Sequence, residues 1–280
     1  MDKAFWRAIV EKDFAVPEGH TAAAMLPELM KGLGSTDPEL RDNLCLEILY
    51  SWIMAGHYDA DEIRQITASL LANLRVGVGE GENDHVFLRA FSVLILQGVV
   101  KRDGRERIFT LDELDAVRQG ALQYLLAETD MRGCVPDKGW AHSTAHTGDL
   151  LEALAGHPAM GAAHLESILD ALAGKLLTPT TYAWLEREDY RLCRCVMTLL
   201  RREVLPVARV AAWLEQVAGT EPRYKSYVPG TDTAVHHNVR SFLAALHLLL
   251  TYQDLPEAAR SELLPAARTT LKSYMHPGWL

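Results

Sequence analysis

Apolar positions recur along this chain at steps of three and four, the spacing that lines up side chains on one face of an α-helix. Leu40, Leu44, Ile48 and Trp52 step by four, and Leu111, Leu114, Val117, Ala121, Leu125 and Leu126 trace a second face. The polar punctuation agrees. Asp37-Pro38 places an N-cap residue and a first-turn proline ahead of ELRDNLCLEILYSWIMAG. Thr110 and Glu113 have capping-box spacing before LDAVRQGALQYLLAE, and Asp59 with Glu62 is a looser version before IRQITASLLANL. The same signals predict helices over 3–14, 21–33, 84–101, 140–155, 161–176, 181–203, 207–218, 233–253 and 257–275. No stretch sustains a period of two, so no sheet is expected beyond an incidental hairpin.

About a dozen helices with short Gly, Pro and Asp connections predict an all-α protein built as an α/α helical array. Antiparallel pairs would occupy roughly 40 residues each, the spacing of a HEAT-like solenoid, although an irregular superhelix, toroid or bundle reads the same way. The longer breaks are VGVGEGEN at 76–83, MRGCVPDKG at 131–139 and GTEPRYKSYVPGTD at 219–232. None has the composition of a flexible linker, so residues 1–280 are read as a single domain. The glycine-rich break lacks the Lys-Ser/Thr of a phosphate loop and carries Glu80 and Glu82, which would repel phosphate.

Composition narrows the function classes. The most apolar run, FSVLILQGVV at 91–100, ends at Lys101, well short of the roughly 20 residues of a membrane helix. MDKAFWRAIVEKDF has no secretory apolar region, so a cytoplasmic protein without a membrane partner is expected. A net charge of −9 argues against nucleic-acid binding, and the four arginines of RLCRCVMTLLRR at 191–202 read as helix-surface charge. Cys45, Cys134, Cys193 and Cys195 form no CxxC pair and are expected to be reduced, structural thiols.

The chemistry concentrates in KGWAHSTAHTGDLL, residues 138–151. If 140–155 is one helix, His146 lies about 40° and Asp149 about −20° from His142, with Trp140, Leu151 and Leu154 roughly opposite. Lys, Glu and Gln, which coat wet helix faces, are absent from the stripe, while Gly139, Ala141, Ala145, Gly148 and Ala153 leave room beside it. A cavity lining fits better than open solvent. His-x-x-x-His is also a paired-ligand spacing for a divalent metal such as zinc, making His142 and His146 candidate ligands. Ser143 stands where a metalloprotease would carry its Glu base, and one ion would need a further ligand from another helix. As the stripe faces away from the apolar side, His142→Ala and His146→Ala are expected to leave the fold intact. Two other clusters are candidates for the same cavity: WLEREDYRL at 184–192, ordinarily a surface ion-pair network, and TAVHHNVRSFLAALH at 233–247, with His236, Arg240 and His247 on one stripe.

ETDMRGCVPDKGWAHSTAHTGDLLEAL, with EDYRL downstream and NVRSFLAAL near the end, resembles the bacterial family catalogued as domain of unknown function 2785. The matching positions are Asp130, Arg132, Gly133, Lys138, Gly139, Trp140, His142, His146 and Asp149, then Glu188, Asp189, Arg191 and Leu192, with a looser match at Asn238. The resemblance covers most of the chain and implies a mostly helical protein, but no activity, cofactor or substrate.

Two function classes follow. In the first, a small polar or anionic ligand binds in a central cavity, where His142 or His146 is an acid/base or metal ligand oriented by Asp149, with metal-assisted hydrolysis as the most concrete reaction. Arg132, Lys138 and Arg191 would neutralise the ligand's charge, and Trp140 would form an apolar wall. Asp130, Glu188, Asp189 and Asn238 would complete the lining. In the second, the array is a non-catalytic scaffold offering a concave surface to a protein or peptide. The sequence leaves open whether the chain is an enzyme.

Overall fold

The structure is a computed structural model that describes residues 1–219 and 231–275. It is all-α: 69% helical, with twelve α-helices and one tiny two-stranded sheet among the described residues. Most of the 219–232 break lies outside the described residues. The chain divides into two compact units, Met1–Leu150 and Leu151–Leu280.

The first unit holds α1 (Lys3–Val10), α2 (Ala22–Gly32), α3 (Glu47–Ala55), α4 (Ala60–Asn73), α5 (His85–Glu106) and α6 (Leu111–Ala127). It continues through β1 (Cys134–Val135) and β2 (Gly139–Trp140) to α7 (Ser143–Gly156), which ends in the second unit. The caps read from sequence are present. Asp59–Glu62 and Thr110–Glu113 are both complete capping boxes, and the Asp37 carboxylate accepts from Leu40 N–H at 3.2 Å. The helix after Asp37 differs from the expected one in opening with a π-helical stretch, Glu39–Leu46, whose wider turn carries the buried Arg41. Leu111 and Leu126 are exposed, so the apolar face of α6 is narrower than its pattern predicts. Helix α5 packs against α3, α4 and α6 and is buried on nearly every side, which explains why its sequence is apolar all round rather than striped.

The second unit contains α8 (Ala162–Leu176), α9 (Glu188–Arg201), α10 (Val207–Ala218), α11 (Thr231–Tyr252) and α12 (Glu257–Ser273). Helix α11 packs on α9 and α12, and α10 on α12 and α8. Trp213 sits fully buried among them, its indole N–H donating to Leu169 O at 2.7 Å and its ring edge-on to Phe242. Arg202 donates to the carbonyls of Ala155, His157 and Met160, satisfying oxygens left at and beyond the end of α7. Among the described residues no helix is long and apolar enough to cross a membrane.

Candidate functional site

The residues between α6 and α7 are held by charge. Glu128, where the chain leaves α6, is buried and accepts two hydrogen bonds from the guanidinium of Arg89, at 2.6 and 3.0 Å. Arg89 is itself fully buried on α5. Burial works against its charge, but the Glu128 carboxylate, helped by Tyr124, outweighs this and its pKa is raised. Asp130 repeats the device one step on. Its carboxylate accepts from Arg132 Nε at 2.8 Å, Arg132 Nη2 at 2.6 Å and Asn83 N at 3.3 Å, while Arg132 Nη2 also reaches Asn83 O at 3.0 Å. Asp130 and Arg132 thus pair with each other and pin the glycine-rich loop before α5.

The hairpin that follows pairs Cys134 with Trp140 and Val135 with Gly139. Lys138 Nζ donates to both carboxylate oxygens of Asp84, at 2.7 and 2.8 Å. From below, fully buried Arg41 donates to the carbonyls of Lys138 at 2.8 Å and Trp140 at 3.3 Å, while its guanidinium lies 4.2 Å from the Phe87 ring centre and 4.7 Å from that of Phe91. Burial lowers the pKa of Arg41, and the adjacent Asp42 carboxylate, 2.7 Å from Nε, opposes that shift. Gly139 is required here: its φ is +74°, and a Cβ would stand 2.8 Å from Pro38 Cβ and 3.2 Å from Arg41 Nη2.

Helix α7 begins at Ser143, not at 140. Trp140 belongs to the hairpin, and His142 precedes the helix in a left-handed backbone conformation, φ +51°. The wheel drawn from sequence therefore holds for His146 and Asp149 but not for His142 or Trp140. Backbone bonds set this entrance, from Ala141 N to Gly133 O at 2.8 Å and from His142 N to Arg132 O at 3.1 Å, with Ser143 Oγ donating to Asp130 O at 2.6 Å. The stripe is not a polar face opposite an apolar one, because every residue from Ala141 to Leu151 is buried. Trp140, by contrast, is 40% exposed and lies outside the core.

The rings form a column. Trp140 stacks on His142 with centroids 4.4 Å apart; His142 meets His146 edge-to-face at 5.7 Å; His146 meets Phe91 the same way at 5.2 Å. His146 Nδ1 lies 3.2 Å from Ala90 O. A carbonyl can only accept, so in the neutral ring Nδ1 carries the proton and Nε2 is the basic nitrogen. Asp149 lies one turn further along α7, also buried. Among the described residues no group of three His, Cys, Asp or Glu side chains is placed to hold a metal ion. The two cavities described in the first unit are lined by other residues, among them Leu71, Gln119 and Tyr124 in one and Leu26, Met30 and Leu88 in the other.

The remaining candidates belong to the second unit. Asn238 is buried and works as a staple, its Oδ1 accepting from Trp184 N–H at 2.7 Å and its Nδ2 donating to Tyr182 O at 3.0 Å. Glu188 is not part of a surface network. It is 1% exposed, one oxygen accepts from Glu186 N–H at 2.8 Å, and the other has no hydrogen-bond partner. Burial pushes its carboxyl pKa up. Asp189 and Arg191 follow on the first turn of α9, both half-buried. Of the other arginines in that segment, Arg194 pairs with Glu152 at 2.6 Å and Arg201 donates to Gln253, an ordinary helix-surface arrangement. The cysteines are free, and burial raises the thiol pKa of Cys45 to about 12 and those of Cys193 and Cys195 as well, which makes these three poor nucleophiles.

Sequence reasoning missed Arg41, Arg89 and Glu128, the charges that carry the loop. The available signal was an arginine set in an otherwise apolar helical stretch, as in VFLRAF, which calls for a buried partner.

Fold and site define an all-helical protein that buries a histidine-bearing helix entrance beneath a loop cross-braced by ion pairs. The chain belongs to the family described as Protein of unknown function (DUF2785), which matches residues 74–248. No curated protein and no solved structure matches it.

Proposed function

We propose that the protein binds a small polar or anionic molecule beside Trp140 and handles a proton of that molecule through His142 and His146. One observation carries this reading. His142 is a buried, non-glycine residue held in the left-handed region, with an exposed tryptophan stacked upon it. That backbone conformation costs about 1–2 kcal/mol for a residue with a Cβ, and such strain gathers where a fold must aim a side chain. Here it directs one imidazole between an exposed ring and a second imidazole of defined tautomer. Arg132, paired with Asp130 and bonded to His142 through the backbone, holds the same entrance in place.

The test is a titration of the full chain with small phosphates and carboxylates, following the ring resonances of His142 and His146 by NMR. The rings are assigned with His142→Gln and His146→Gln. Saturable shifts of both rings are expected. If neither ring responds to any probe, the reading fails.

A further inference from the structure

The second unit holds a polar cavity of its own. A cavity of about 460 Å³ is lined by His247 on α11 and by Leu264, Pro265, Arg268, Thr269 and Lys272 on α12. From this geometry we infer that the cavity binds a small oxyanion, a phosphate or carboxylate group carried on a compact organic body. Arg268 and Lys272 are four residues apart, so both cations project from one helix face into the same space. Among the described residues neither forms an ion pair, although the chain as a whole is acidic, with a net charge of −9. Two like charges at this spacing repel each other and destabilise the helix slightly unless an anion lies between them.

The helix dipole explains Lys272, which lies in the last turn of α12, but Arg268 sits more than a turn from that end. Nor does it explain the third group. His247 Nδ1 is buried and has no hydrogen-bond partner, on a ring that lines the same cavity. With Nδ1 shut away from solvent, the ring meets the cavity through its other nitrogen, Nε2, which can donate to an oxyanion there. The Thr269 hydroxyl adds a neutral donor, and Leu264 with Pro265 forms an apolar wall that suits a carbon-bearing ligand.

The experiment uses the full chain, with inorganic phosphate and malonate as probes, and reads the His247 ring and Arg268 Nε–H resonances. Saturable shifts at both residues with either probe are expected. The double variant Arg268→Gln/Lys272→Gln should weaken binding by about tenfold or more, the loss of two charge-assisted contacts. Arg105→Gln, which removes one charge from the first unit, should leave the affinity unchanged. Absence of saturable shifts with both probes overturns the inference, as does an equal loss in Arg105→Gln, which would mean diffuse attraction. The readout is at His247, so the outcome is independent of what His142 and His146 do.

Discussion

Gly139→Ala is the substitution that most directly interrogates the loop. Two effects add. Gly139 has φ +74°, where a residue with a Cβ is disfavoured by about 1–2 kcal/mol. The new methyl would also stand 2.8 Å from Pro38 Cβ and 3.2 Å from Arg41 Nη2, so the arginine must retreat. That Nη2 holds the carbonyls of Lys138 and Trp140, and weakening one hydrogen bond from a charged donor costs about 1.5–3 kcal/mol. A total of about 2.5–5 kcal/mol is expected for Gly139→Ala. Gly19→Ala is the control, because Gly19 has nearly the same φ, +75°, with nothing within 4 Å of the added Cβ. It should lose only the backbone part, about 1–2 kcal/mol. Urea denaturation of both variants gives the difference between them, which isolates the contact with Arg41. Equal losses in the two variants would show that Arg41 does not brace the hairpin.

Arg89→Met should destabilise by about 3–5 kcal/mol, because Glu128 is left charged and buried without its partner, and Arg89→Met/Glu128→Leu should recover much of that loss in the same melts. Glu188→Gln should stabilise the protein at neutral pH, since burial raises the Glu188 pKa and the folded state resists its ionisation. A raised pKa makes the native carboxyl's contribution complete below the ordinary Glu range and progressively lost as pH rises through its folded value. The advantage of Gln should therefore vanish in melts near pH 4, and an advantage independent of pH would contradict this cause. His146→Ala should cost about 2–4 kcal/mol through lost packing on Phe91, against the sequence expectation of a neutral change, and a thermal melt within error of wild type would restore that expectation.

The helices were legible where local chemistry decides them. Thr110–Glu113 and Asp59–Glu62 are interactions between residues three apart, so the string of residues contains everything needed to see them. The π-helical start of the helix after Asp37 was not legible, since nothing local distinguishes it from an α-helix; its visible correlate is Arg41, which is buried against α5 and the hairpin. The false start of α7 has the same origin. Gly-Trp-Ala-His can enter a helix, and what keeps it extended through Trp140 is a hydrogen bond from Arg41 to Lys138 O across 97 residues of chain.

Long-range bracing also reassigns the charged residues that looked chemical in the sequence. Asp130, Arg132 and Lys138 each have an acidic or basic group ideally placed for a ligand, yet each meets an opposite charge within 2.6–2.8 Å and fixes a loop or hairpin. Such groups rigidify a site more readily than they reach into it, because withdrawing one partner would leave the other unpaired. The imidazoles are different. His142 is held in a left-handed backbone conformation, and His146 has its tautomer set by a neutral carbonyl. A carbonyl orients a ring without fixing its charge. The ion pairs around the two histidines are therefore a rigid frame, and the proposed proton handling asks nothing of them beyond holding the rings in place.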